Sequence, residues 1–116
     1  MTRVKKHPTP TKLPTSKSVR ATVELLLAIA HPLRLRMLCA LHAKGPTPVG
    51  ELQKLLGAEQ SGLSHQLRTL RDADLVAGER DGRRILYRLV DEHVGHIISD
   101  AMTHAGEVPR KGKGNR

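Results

Sequence analysis

From position 18 onward the chain runs through apolar stripes at helical spacing, separated by short polar breaks. Val19, Val23, Leu26, Leu27 and Ala30 recur as one face of a helix that stops near His31-Pro32, because the residue before a proline is pushed away from the helical region. Pro32 suits the first turn of a second helix over about 32–43, with Leu33, Met37, Leu38 and Leu41 inward. Lys44-Gly45-Pro46 breaks that run. Thr47 is then placed to cap a short third helix that starts at Pro48, carries Val49, Leu52, Leu55 and Leu56, and stops at Gly57. A fourth helix over about 59–73 has Leu63, Leu67 and Leu70 on its core side.

The period then changes. Residues 75–80 and 83–90 read as two strands around Asp81-Gly82, with Ile85, Tyr87 and Leu89 alternating in the second strand; Asp-Gly at this place predicts a type I′ hairpin. Asp91 caps a fifth helix reaching about Ala105, before Gly106 and Pro109 end it. Helix, helix, tight turn, helix and basic hairpin make up a winged helix-turn-helix, a mostly helical α+β fold with a two-stranded wing.

Composition limits what this domain can do. The chain has 116 residues, no Trp or Phe and one Tyr, so leucine must supply most of the core. A domain this small and poor in aromatic residues favours a partner subunit. The formal charge is +9, but residues 1–17 hold five basic groups and no acid, and residues 109–116 hold four and no acid. That leaves 18–108 with 11 of each sign. The expected organisation is a disordered basic arm (1–17), a sensor domain (18–108) and a disordered basic tail (109–116). The tails fit solubilising segments and polyanion-attracting arms equally well, so DNA reading has to be sought in the neutral middle. Cys39 is alone, which excludes an internal disulfide, and its apolar neighbours predict a buried thiol. No apolar run follows the basic N-terminus, which predicts a cytoplasmic protein, neither secreted nor membrane-bound.

At about 100° per residue, Gln60, Ser61, Ser64, His65, Arg68 and Arg71 share one acid-free arc of the fourth helix, away from its leucines. Such an arc offers hydrogen-bonding groups to base edges and arginines to phosphates; Arg80, Arg83, Arg84 and Arg88 surround the hairpin turn, where they meet the adjoining backbone. Gly62 weakens the helix unless DNA or the third helix approaches it closely.

The fifth helix has the opposite character. Residues 91–107 contain Asp91, Glu92, Asp100 and Glu107, three of the seven histidines, and neither Lys nor Arg. His93 and His104 share a face but stand roughly 16 Å apart along the axis, too far for one ion within one chain. Antiparallel pairing with a second copy about positions 98–99 sets 93 opposite 104 and 91 opposite 107. Asp91 and His93 of one subunit then converge with the His104 and Glu107 positions of the other on a single ion, twice per dimer. Gly95 and Ala101 near the axis would admit close backbone approach. A helix with these histidines serving only as polar groups of a dimer interface has the same spacing, and His96 and Asp100 fit spare ligands, outer partners or bystanders.

Together these segments resemble the ArsR/SmtB family of metal-responsive repressors over about residues 19–107. The resemblance lies in Ala30-His31-Pro32-Leu33-Arg34-Leu35-Arg36, Val49-Gly50-Glu51-Leu52, Gln60-Ser61-x-x-Ser64-His65-x-Leu67-x-x-Leu70, Asp81-Gly82-Arg83-Arg84, and Asp91-x-His93 with His104-x-x-Glu107. Glu59 stands where the family has a capping serine and Gly62 where it has a β-branched residue. The resemblance implies a homodimer held by the first and fifth helices, bound to double-stranded operator DNA when metal-free and released by metal. It also implies a hydrogen bond from His104 to a carbonyl near Asp74. Two imidazoles and two carboxylates suit Zn2+; Ni2+ or Co2+ is the alternative, with His7 or His96 as added ligands. A metal-independent winged-helix regulator is a further reading. A metallohydrolase is disfavoured, because a seam between helices offers little room for an open coordination position and a base.

Overall fold

The computed structural model describes residues 12–107, so most of the predicted basic arm, His7 and the tail from 108 lie outside the described residues. Five helices and three short strands follow in the order α1 (Ser16–Ile29), α2 (Pro32–Lys44), β1 (Thr47–Pro48), α3 (Val49–Leu56), α4 (Gln60–Asp72), β2 (Val76–Asp81), β3 (Arg84–Leu89) and α5 (Glu92–Glu107). Helix α1 begins two residues before the expected start, because Thr15 Oγ1 accepts the Ser18 N–H at 3.1 Å and caps it. Helix α2 has an unusual cap. His31 is extended, and its Nδ1 accepts from the N–H groups of Leu33 at 3.1 Å and Arg34 at 3.4 Å, ahead of Pro32 in the first turn.

Thr47 departs from expectation. Rather than capping α3, it pairs with Tyr87 as part of β1, and its buried hydroxyl donates to the Gly45 carbonyl at 2.8 Å. Pro48 becomes the N-cap, with no side-chain cap bond. The sheet is therefore three-stranded, antiparallel, in the order β1-β3-β2, and only the β2-β3 hairpin projects as the wing. The turn also differs. Asp81 pairs with Arg84, which leaves Gly82 and Arg83 as the two central residues, and of these only Gly82 has positive φ, at 67°. Glycine at the first central position is the type II′ pattern, not the expected I′.

The core comprises Met37, Leu38, Leu41, Leu52, Leu63, Leu67, Leu70, Leu75, Val76, Val94 and Ile98, drawn from α2, α3, α4, the start of the wing and α5. Leu55, expected inward on α3, is 46% exposed. The larger departure is α1, which contains no buried residue: Leu25, Ala28 and Ile29 pack against the core, while Val19, Val23, Leu26 and Leu27 remain 45–64% exposed. The predicted stripe is real, but it does not face this chain's own core. Cys39 is half-buried rather than buried, and desolvation pushes its thiol pKa up, away from the reactive thiolate. Among the described residues no helix is long and apolar enough to cross a membrane.

Candidate functional site

Helix α4 packs Leu63, Leu67 and Leu70 inward and turns Gln60, Ser61, Ser64, His65, Arg68 and Arg71 outward, all exposed. All six predicted polar positions thus share the exposed side of one helix. Its first turn carries no acid, and Glu59 at the N-cap makes no side-chain cap bond. The helix ends in a Schellman-like turn. Asp74 takes the left-handed conformation at φ 59°, and the Leu75 N–H reaches the Leu70 carbonyl at 2.9 Å. A Cβ built on Gly62 would meet nothing within 4 Å, so close packing against α3 is not the reason for a glycine there.

The wing arginines divide into two kinds. Arg83 and Arg84 are exposed beside the turn; Arg84 forms an exposed pair with Asp81 at 3.2 Å, a contact of little energetic weight. Arg80 reaches the Gly82 carbonyl at 3.4 Å. Arg88, expected with them as a backbone grip, is engaged elsewhere: it pairs with Glu79 at 3.3 Å and donates to the carbonyls of Leu89 at 3.0 Å and Val90 at 3.3 Å. Its role is to hold the base of the hairpin. Sequence reading missed Gln66, which accepts from Arg34 Nη1 at 2.8 Å while Arg34 Nε donates to the Ala28 carbonyl at 2.6 Å. No periodic signal marks such a pair, because its members stand 32 positions apart.

Helix α5 packs Val94, Gly95 and Ile98 inward. On the same angular spacing His93, Ile97, Asp100 and His104 fall within an arc of about 60° on the opposite side. Asp91 caps the helix as expected, with Oδ1 accepting the Val94 N–H at 3.2 Å; the exposed His93 Nδ1 lies 3.7 Å from that oxygen. His104 and Glu107 are exposed in the last turns. One chain therefore carries two of the four predicted donors at each end of α5, and among the described residues no three such groups surround a common point. The donor chemistry fits a divalent ion. The cap employs only one oxygen of Asp91, and the other three predicted ligands are not committed to core packing. Among the described residues His104 makes no hydrogen bond to α4. Gly95 corrects an expectation: it is buried against α2 of the same chain, where an added Cβ would lie 2.6 Å from His42 Cε1 and closer still to Nδ1. Its smallness serves contact within the chain, not approach across a two-fold axis.

The Helix-turn-helix domain family matches residues 29–79, from the end of α1 through α4 into the wing. The chain is 43% identical over 90 residues to the HTH-type transcriptional regulator NmtR of Mycobacterium tuberculosis, covering 78% of this chain and 74% of that protein. It is 42% identical over 94 residues to the HTH-type transcriptional repressor SmtB of the same species, covering 81% of this chain and 69% of that one. The solution structure of apo-NmtR superposes with a TM-score of 0.72 at 37% identity, covering 95% of this chain and 93% of that one. These relatives are regulators of transcription, which removes the metallohydrolase reading. With the recognition helix, wing and core arranged as described, the chain belongs to the ArsR/SmtB family of winged helix-turn-helix transcriptional regulators and is not an enzyme.

Proposed function

We propose that the chain works as a homodimeric, metal-responsive repressor. In this reading α4 enters the major groove of operator DNA with Gln60, Ser61, Ser64, His65 and Arg68, and the wing sets Arg83 and Arg84 against the phosphates beside it. The exposed apolar stripe of α1 supports the dimer, since Val19, Val23, Leu26 and Leu27 find cover in a second copy that their own core does not provide. Zn2+ held by Asp91 and His93 of one subunit and by the His104 and Glu107 positions of the other releases the DNA.

The observation that carries this reading is the placement of the four ligands on α5. Asp91 at the cap and His93 stand exposed at one end, and His104 and Glu107 stand exposed at the other, on a helix that also packs on α2; this supports a pair of donors at each end being completed by a second copy. Asp91, His93, His104 and Glu107 would hold the ion through two carboxylates and two imidazoles, and the ion would supply a charged crosslink between the subunits. The nickel or cobalt alternative needs further ligands. His96 lies on the flank of the ligand stripe and lines a groove toward α2, so that alternative leans on His7.

Titration of Zn2+, Ni2+ and Co2+ against the dimer on an operator fragment tests the proposal. A coupling of about 1–3 kcal/mol corresponds to a loss of DNA affinity of about 5- to 150-fold. His104→Ala is expected to keep metal-free DNA binding and lose the response. Unchanged affinity with all three ions refutes the sensor reading.

A further inference from the structure

A groove of about 550 Å³ lies between the end of α2, the loop after it, the end of β3 and the start of α5. Its walls include His42, Glu92 and His96. Glu92 and His96 are four residues apart on α5 and so lie one above the other, a spacing at which two side chains of one helix reach a common ion. His42 arrives from α2. It is held against α5 by the missing side chain at Gly95: an added Cβ there would stand 2.6 Å from Cε1 and 3.3 Å from Cγ of the imidazole, and nearer still to Nδ1. The ring edge bearing Nδ1 and Cε1 therefore rests on the helix, and of the two nitrogens Nε2 stands farther from Gly95. None of the three side chains has a hydrogen bond or ion pair among the described residues.

We propose that His42, Glu92 and His96 form a second divalent-metal site, built within one chain; Asp91 of the shared set lines the same groove but is not one of its three ligands. Two imidazoles and one carboxylate in a groove open to water suit a borderline transition ion such as Zn2+, Co2+ or Ni2+, with water completing the coordination. Among the described residues no three such groups already surround one point, so closure requires rotation of the exposed Glu92 and His96 side chains toward His42. The bound ion ties α2 to the first turns of α5. It thereby braces the helix whose ends carry the other ligands.

The experiment uses the full chain with His93→Ala and His104→Ala, which removes both imidazoles of the shared set. Titrated with Co2+ and followed by ligand-field absorption, this double variant is expected to bind one ion per chain, against two for the unaltered protein, and to melt at higher temperature with the ion than without. Adding His42→Asn or His96→Gln is expected to weaken that binding by at least about tenfold, and Gly95→Ala is expected to weaken it by displacing His42. Circular dichroism of the metal-free variants confirms that they are folded. Absence of Co2+ binding by the double variant overturns the proposal, as does binding that survives both His42→Asn and His96→Gln. Failure of the shared site alone reads differently: the double variant then binds as many ions as the unaltered chain.

Discussion

Arg34 Nη1 donates to Gln66 Oε1 at 2.8 Å while its Nε donates to the Ala28 carbonyl at 2.6 Å, so one guanidinium joins the end of α1 to the middle of the recognition helix. Both side chains are half-buried. Helix α1 carries the exposed apolar stripe and α4 the exposed polar arc, so this contact connects the two surfaces that the proposed function assigns to a partner subunit and to DNA.

A hydrogen bond from a charged donor in a partly dry setting is worth about 1.5–3 kcal/mol. Arg34→Met is expected to lower unfolding stability by about 2 kcal/mol and Gln66→Leu by about 1 kcal/mol. The double variant should lose less than the sum, with a coupling of about 1 kcal/mol in urea denaturation. Strict additivity would show that the contact carries no energy of its own.

Asp74 holds a left-handed conformation that glycine adopts without penalty. Asp74→Gly is expected to stabilise the fold by up to about 1 kcal/mol, whereas Asp74→Val, β-branched at φ 59°, is expected to destabilise it by about 1–2 kcal/mol. Thermal melts of the two variants, moving in opposite directions, check the assignment.

Gly62 separates stability from recognition. Space around it is open, so Gly62→Ala is expected to raise stability by about 1 kcal/mol through helix propensity. If α4 rests against DNA at this point, the same change lowers operator affinity. A stabler protein with unchanged affinity would exclude Gly62 from the interface.

Arg83 and Arg88 are expected to part ways in a salt series. Arg83→Ala should weaken DNA binding and reduce the salt slope by about one ion. Arg88→Ala should instead loosen the hairpin, because its partners are Glu79 and the carbonyls of Leu89 and Val90, and should leave the slope as it was. Equal slopes for Arg83→Ala and the unaltered protein would take Arg83 off the DNA.

The local rules read well from sequence. The leucine spacing of α4, the stops at Gly45 and Gly57 and the cap at Asp91 depend on neighbours within about one helical turn, and each lies where the pattern placed it. The turn type did not follow, because strand register, fixed by Asp81 pairing with Arg84, decides which two residues are central. Thr47 looks like a cap from sequence for the same reason: whether a threonine caps a helix or joins a strand depends on Tyr87, forty positions away, being in reach.

What the sequence by itself determined is the order and kind of the elements, the acid-free arc of α4 and the spacing of imidazoles and carboxylates along α5, since all of these are periodicities of a single segment. Only the tertiary structure decided which residues meet across segments. It set His42 on Gly95, joined Arg34 to Gln66, drew Arg88 away from the turn, and left the stripe of α1 without cover in its own chain. Periodicity states which side of a helix is apolar. What lies against that side is settled by the competition of all the elements for one small core.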